Sequence, residues 1–156
     1  MSQLPADFIT QITQLLGADE ASALCTALTG SEAPVSIRRN PLKPVETLPE
    51  AEVGAVAWCD AGCYLAARPR FTYDPLLHAG CYYVQEAASM FVEQAYRRIV
   101  ADFQPHRLLD LCAAPGGKST LWRSLLPAEH LLVANEPIRQ RAQILAENLA
   151  KWGHPD

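Results

Sequence analysis

The side chains of this 156-residue chain that could do chemistry are concentrated in Asp110-Leu111-Cys112-Ala113-Ala114-Pro115-Gly116-Gly117-Lys118-Ser119-Thr120 and in one acid beyond it, Glu136. Leu108-Leu109-Asp110-Leu111 is a short apolar run with an acid inside it, which reads as a buried parallel strand. Small residues, a proline and two glycines follow. Leu121, Trp122, Leu125 and Leu126 then recur at helical spacing. Strand, glycine turn and helix is how α/β proteins hold nucleotide-like ligands. The glycines admit close backbone approach, and the helix start offers unpaired N–H groups and the positive end of the dipole.

Two ligands compete for this loop. A P-loop reads G-x-x-x-x-G-K-[ST], and Gly117-Lys118-Ser119 fits its tail, but Cys112 stands where the first glycine belongs. Pro115 and two alanines also fill the segment that should wrap phosphates. An adenosyl cofactor lying across the strand ends needs a glycine turn after the first strand and an acid after the second, to accept the ribose hydroxyls. Residues 130–135 read as that second strand. Glu136 follows it, twenty residues beyond Gly116 and near the ~20-residue offset of the ribose carboxylate. The second candidate fits better.

Residues 109–120 resemble the S-adenosylmethionine-binding loop of the Sun-family RNA (cytosine-5) methyltransferases. Ser36-Ile37-Arg38-Arg39-Asn40-Pro41-Leu42-Lys43, the stretch from His78 to Met90, and Ala134-Asn135-Glu136 through Arg141 and Asn148 are similar to the same family. The likeness covers most of the chain and is nearest to the bacterial ribosomal RNA branch. It implies S-adenosyl-L-methionine as cofactor, RNA as partner, and methyl transfer to C5 of cytosine. On this reading the backbone of Cys112, Ala113, Ala114, Pro115, Gly116 and Gly117 holds the methionine part, and Glu136 takes the ribose. Asp110 helps place the amino group, and Lys118 meets the cofactor or substrate side. Arg141 either approaches the adenosine or is a surface arginine.

C5 of cytosine is a poor nucleophile until a cysteine thiolate adds to C6. The family carries its two cysteines in Pro-Cys and Thr-Cys-Ser contexts, and neither occurs here. Cys112 sits inside the cofactor loop, and Cys25, Cys59, Cys63 and Cys81 match neither context, so no catalytic residue is expected in this chain. The expected fold class is α/β. Residues 1–76 form an N-terminal α+β accessory, RNA-binding region. Residues 77–156 begin a Rossmann-like methyltransferase domain whose remaining strands are missing, so the exposed sheet edge should be covered by neighbouring residues or by another chain.

The elements that position these residues read as follows. Residues 5–17 form a helix with Phe8, Ile12, Leu15 and Leu16 on one face, and Asp19 caps a second helix with Ala23, Leu24, Ala27 and Leu28 inside. Residues 35–38 alternate as a half-buried strand. Arg38, Arg39 and Lys43 form the densest basic cluster of this half, either a solvated edge or a phosphate contact. Residues 53–58 and 64–67 pair around a turn, with Cys59 and Cys63 as structural cysteines rather than metal ligands. A long helix follows Val84, with Val84, Ala88, Phe91, Ala95, Ile99 and Phe103 as its apolar stripe and Gln85, Glu86 and Ser89 on its polar side. Pro137 opens a last helix that buries Ile138, Ala142, Leu145, Leu149 and Trp152. His78 and His106 are read as structural.

The net charge of −4 gives no independent support for RNA, whose binding leans on Lys and Arg. No run approaches the ~20 apolar residues of a membrane span. Five cysteines in no framework and no signal-peptide pattern point to the reducing cytoplasm.

Overall fold

The computed structural model describes residues 4–30 and 33–153. Two compact units meet in sequence between Pro34 and Val35. The first is a helix pair, α1 (Ala6–Leu16) and α2 (Ala18–Gly30). Gly17, in the left-handed half of the map at φ 83°, ends α1 and donates its N–H to Thr13 O at 3.0 Å. Ile12 and Ala21 are the buried residues. The expected cap Asp19 instead lies inside the first turn of α2, and Ala23, Leu24, Ala27 and Leu28 are exposed. α2 packs along α1 with Ala21 as its buried residue, and Leu24 and Leu28, on the same side of the helix, stay exposed.

The second unit begins with a four-stranded antiparallel sheet in the order β2-β3-β1-β4. Its strands are β1 (Val35–Arg39), β2 (Glu52–Ala55), β3 (Gly62–Leu65) and β4 (Tyr82–Val84). β1 is interior: Ile37 lies opposite Cys63 on one side and Val84 on the other. The half-buried alternation expected for β1 therefore fails, and Ser36, Ile37 and Arg38 are all buried. Ile37, Cys63, Leu65 and Tyr82 form one core cluster. Val56, Cys59, Ala87, Met90 and Leu121 form another. A 3-10 turn over Phe71–Tyr73 and the short α3 (Pro75–His78) lead into β4.

The single long helix expected after Val84 is two helices, α4 (Ala87–Met90) and α5 (Val92–Asp102). Its expected stripe turns outward: Ala88, Phe91, Ala95, Ile99 and Phe103 are exposed, and Met90, Glu93 and Tyr96 are buried. The inward face is chosen by polar groups that find partners there. Arg97 Nε and Nη2 donate to Glu93 Oε1 at 2.9 and 2.6 Å. Tyr96 packs its ring against Trp122 at 5.8 Å.

The chain then makes β5 (Arg107–Asp110), α6 (Gly117–Leu125), β6 (Leu131–Ala134) and α7 (Arg139–Trp152). β5 and β6 pair in parallel with Asp110 beside Ala134, as the strand-loop-helix pattern predicts. On one face of this pair Leu109, Leu111, Leu131 and Val133 are 46–64% exposed. The helices bury Leu121, Leu145 and Trp152. Pro137 lies ahead of α7 rather than at its first position, and Ile138, expected in the buried face, is its exposed N-cap.

Candidate functional site

Asp110 ends β5 buried, and both of its carboxylate oxygens turn back to the chain. Oδ1 accepts the Cys112 N–H at 3.3 Å, and Oδ2 accepts the Ser119 hydroxyl at 2.7 Å. It thus closes the loop onto α6. The end of β6 fixes the same loop: Ala113 N–H donates to Asn135 O at 3.1 Å, and Asn135 Nδ2 donates to Leu111 O at 3.1 Å. The Ala114–Pro115 peptide is cis.

Gly116 has φ 117°, where a side chain is strained, and a Cβ there would press Asn148 and Leu145 at 3.4 Å. Gly116 also caps α6 with no side chain to take the first N–H groups. The amides of the first turn, from Gly117 to Ser119, are those a helix leaves unpaired.

One face of α7 holds the loop from the other side. Arg141 Nη2 donates to Ala114 O at 3.0 Å, Asn148 Nδ2 donates to Pro115 O at 2.7 Å, and Leu145 between them packs on Ala113 and Ala114. Spacings of four and three residues place all three on one stripe. Glu136, at the mouth of β6, keeps a carboxylate only 4% exposed. Its Oε1 accepts the Ile138 N–H at 3.0 Å, and its Oε2 meets Arg141 Nη1 at 3.3 Å. The residues singled out from sequence are therefore brought together at the carboxyl ends of β5 and β6. Ala113, Ala114 and Gly116 are buried, Gly117 is half-buried, and Cys112, Pro115 and Lys118 are exposed.

Of the basic cluster around β1, Arg38 and Lys43 are taken up by the fold, and Arg39 stays exposed. Arg38 is fully buried beneath the loop. Its Nε donates to Gln85 Oε1 at 2.9 Å, and its Nη2 donates to Thr120 Oγ1 at 2.6 Å and Gly117 O at 3.2 Å. Its guanidinium lies 4.4 Å from the centre of the Trp152 ring. Burial lowers its pKa to about 10. Arg39 pairs with Glu52, and Lys43 Nζ donates to Ala79 O at 2.9 Å and Lys151 O at 2.7 Å. Gln85, expected on a helix surface, is buried as the partner of Arg38. Arg38 Nη1 and Gln85 Nε2 are buried with no partner among the described residues. Sequence reasoning missed the Arg38–Gln85–Thr120 link because its members lie 47 and 82 residues apart.

Cys59 and Cys63 are buried, as expected of structural cysteines. Burial, with a hydrogen bond to Glu93, pushes the Cys59 thiol up to about 12. His78 contacts Thr72 O at 2.8 Å, and His106 faces His130 across 3.2 Å. Among the described residues no cluster of metal-ligating side chains occurs.

Residues 4–87 match the family model described as the N-terminal domain of 16S rRNA methyltransferase RsmF. Residues 99–155 match that of 16S rRNA methyltransferase RsmB/F. The chain belongs to this family. It is 33% identical over 162 aligned positions to ribosomal RNA small subunit methyltransferase F of Vibrio atlanticus, covering 96% of this chain and 33% of that protein. To its counterpart in Shewanella woodyi it is 30% identical, covering 98% and 34%. The chain thus spans about a third of the length of the curated relatives it matches. The crystal structure of PH0851 superposes with a TM-score of 0.79 at 25% identity, over 97% of this chain and 34% of that one. The structure of NSun6 from Pyrococcus horikoshii with SFG gives 0.76 at 14% identity, over 99% and 64%, a likeness of fold alone. The expected α/β class, an N-terminal region joined to the start of a Rossmann-like methyltransferase domain, is borne out.

Proposed function

We propose that this chain supplies the first half of the S-adenosyl-L-methionine site of a ribosomal RNA methyltransferase. The observation that carries the reading is the convergence of Glu136 with the glycine loop. α7 claims the loop carbonyls of Ala114 and Pro115, and the first-turn amides of α6 have no side-chain cap, so the loop offers a ligand donors rather than these acceptors. That donor set suits a carboxylate, and an acid at the next strand end suits a pair of hydroxyls. The residues present therefore fit the cofactor: residues 112–117 toward the methionine part, Glu136 toward the ribose, and Lys118 and Arg141 at the rim. Each Glu136 oxygen keeps a further lone pair beyond its present bond. Arg141, half exposed, shields that carboxylate and must give way for a ribose to reach it. Asp110 fixes the loop through Cys112 and Ser119, and its oxygens likewise keep lone pairs that could help place the cofactor's amino group, directly or through water.

Bound there, the cofactor would supply an activated methyl group. The acceptor on this reading is C5 of a cytosine in RNA. The thiolate that must add to C6 is not contributed by this chain. Cys59, Cys63 and Cys81 are buried, the exposed Cys112 belongs to the cofactor loop, and the half-buried Cys25 matches neither cysteine context of the family. Residues 1–76 then serve as an RNA-contacting accessory region and residues 77–156 as the opening of the methyltransferase domain, in the cytoplasm. Among the described residues no helix is long and apolar enough to cross a membrane.

Isothermal titration with S-adenosylmethionine tests the half-site. Glu136→Ala should weaken binding about tenfold or more, the scale of losing a charged hydrogen-bond acceptor. Equal binding by both chains overturns the role of Glu136; binding by neither leaves the family standing and means that the half-site does not close unaided. Mass spectrometry of RNA incubated with the chain and cofactor should show no 5-methylcytosine; its formation would place the nucleophile within these residues.

A further inference from the structure

Seven of the thirteen Lys and Arg side chains already have an acceptor or a carboxylate partner within the chain. Arg38, Lys43 and Arg123 donate to buried or backbone acceptors. Arg39, Arg97, Arg98 and Arg141 pair with carboxylates. Of the six without an acceptor among the described residues, Arg68 and Arg70 stand two positions apart in the loop between β3 and α3, followed by Tyr73. The Tyr73 ring is 81% exposed. Residues 66–73 contain no acid, and the adjoining Asp74 is committed to the Leu76 N–H at 2.9 Å and to the Tyr82 hydroxyl.

The loop is braced from within. The Arg68 guanidinium lies 5.6 Å from the Phe71 ring, which packs on buried Tyr82 at 6.2 Å. Tyr73 N–H donates to Arg70 O at 2.9 Å, and Thr72 O is held by His78. An aromatic residue standing in solvent on a braced turn, beside two guanidinium groups with no acceptor among the described residues, suits a flexible polyanion with planar groups. Guanidinium forks take phosphates, and aromatic rings stack on bases without regard to sequence.

Resting on the reading above that RNA is the partner, we propose that Arg68, Arg70 and Tyr73 form a single-stranded RNA contact, the two arginines on consecutive phosphates and Tyr73 against a base. The contact takes the place of the Arg38 and Lys43 cations, which the fold has consumed.

Fluorescence anisotropy with a labelled, unstructured RNA of about a dozen nucleotides tests this, on the whole chain and across a salt series. The double substitution Arg68→Ala, Arg70→Ala should weaken binding about tenfold and lower the log–log salt slope by about 1.4, the loss of two single-strand phosphate contacts. Tyr73→Ala should weaken binding about tenfold with the slope unchanged, and Tyr73→Phe should restore it. Arg139→Ala, which removes an unpaired cation elsewhere, should change affinity less than twofold, and all variants should keep the parent melting temperature. RNA binding that survives the loop substitutions overturns this contact and leaves the RNA reading standing. No RNA binding by the parent chain overturns both. Binding to anionic phospholipid vesicles in place of RNA assigns the loop to a lipid surface and overturns the proposal.

Discussion

In the four-stranded sheet, the central strand buries three consecutive residues, two of them polar, while in the two-stranded sheet four leucine and valine side chains stand in solvent. Burial in this chain follows what surrounds a strand more than how apolar the strand is. Ser36 and Arg38 go inside because each donor meets an acceptor: Ser36 Oγ donates to Gln85 O at 2.7 Å, and Arg38 bonds Gln85 and Thr120. Leu109 and Val133, side by side in register, stay outside because no element among the described residues packs on their face. The first sheet is finished by its own neighbours, and the second has one finished face.

The contrast is broken most sharply at Arg38. Arg38→Met strands Gln85 and Thr120 without their donor and should cost about 2–4 kcal/mol in urea unfolding, the scale of leaving buried acceptors unpaired. Arg38→Lys should recover little of this, because an ammonium cannot reproduce the fork or the stacking on Trp152. A loss under 1 kcal/mol would mean that the buried guanidinium is not what joins β1 to α6.

A second effect, intermediate in size, depends on pH. The Cys59 thiol holds its proton up to about 12 in the folded chain, against an ordinary 9.0. Between those values the folded state binds more protons than the unfolded one, so stability falls as pH rises above about 9. Tyr82, Tyr83 and Tyr96, all raised by desolvation, act in the same direction at still higher pH. Melting temperatures should decline through this range in the parent chain and decline less steeply in Cys59→Ala. Parallel profiles would remove the thiol from the account.

The smallest effect belongs to the open face. Leu109→Ser should change stability by no more than about 0.5 kcal/mol, as for a surface position. It should also reduce any self-association seen in sedimentation, since a bare apolar face invites a covering partner. A loss comparable to that of a core leucine would show that Leu109 is covered in solution.

What the sequence made legible was local. The strand-loop-helix unit, its parallel partner, Glu136 and Arg141 all follow from short-range spacing, and the structure brings them to one place. What it hid was the choice among equivalent faces and the partners of polar residues. The apolar stripe from Ala88 to Phe103 is as good a helical face as the one through Met90 and Tyr96; the second went inward because Glu93 could bring Arg97 as its counter-ion. Arg38 reads as a surface cation because nothing near it in sequence announces Thr120. Asn148, named only as part of the resemblance, could have been set against the loop, since it lies seven residues, two helical turns, beyond Arg141 on the same stripe.

Lys43 carries a consequence for chemical footprinting. Its ammonium is divided between carbonyls at the ends of α3 and α7, beside Asn40, whose amide donates to Gly80 O and Trp152 O. An amine whose protons are committed in this way is a slow target for acylating reagents, whereas Lys118 and Lys151 have no such commitment. The chain has only these three lysines, so their relative labelling reports from within whether the last helix has docked on the strand that opens the sheet.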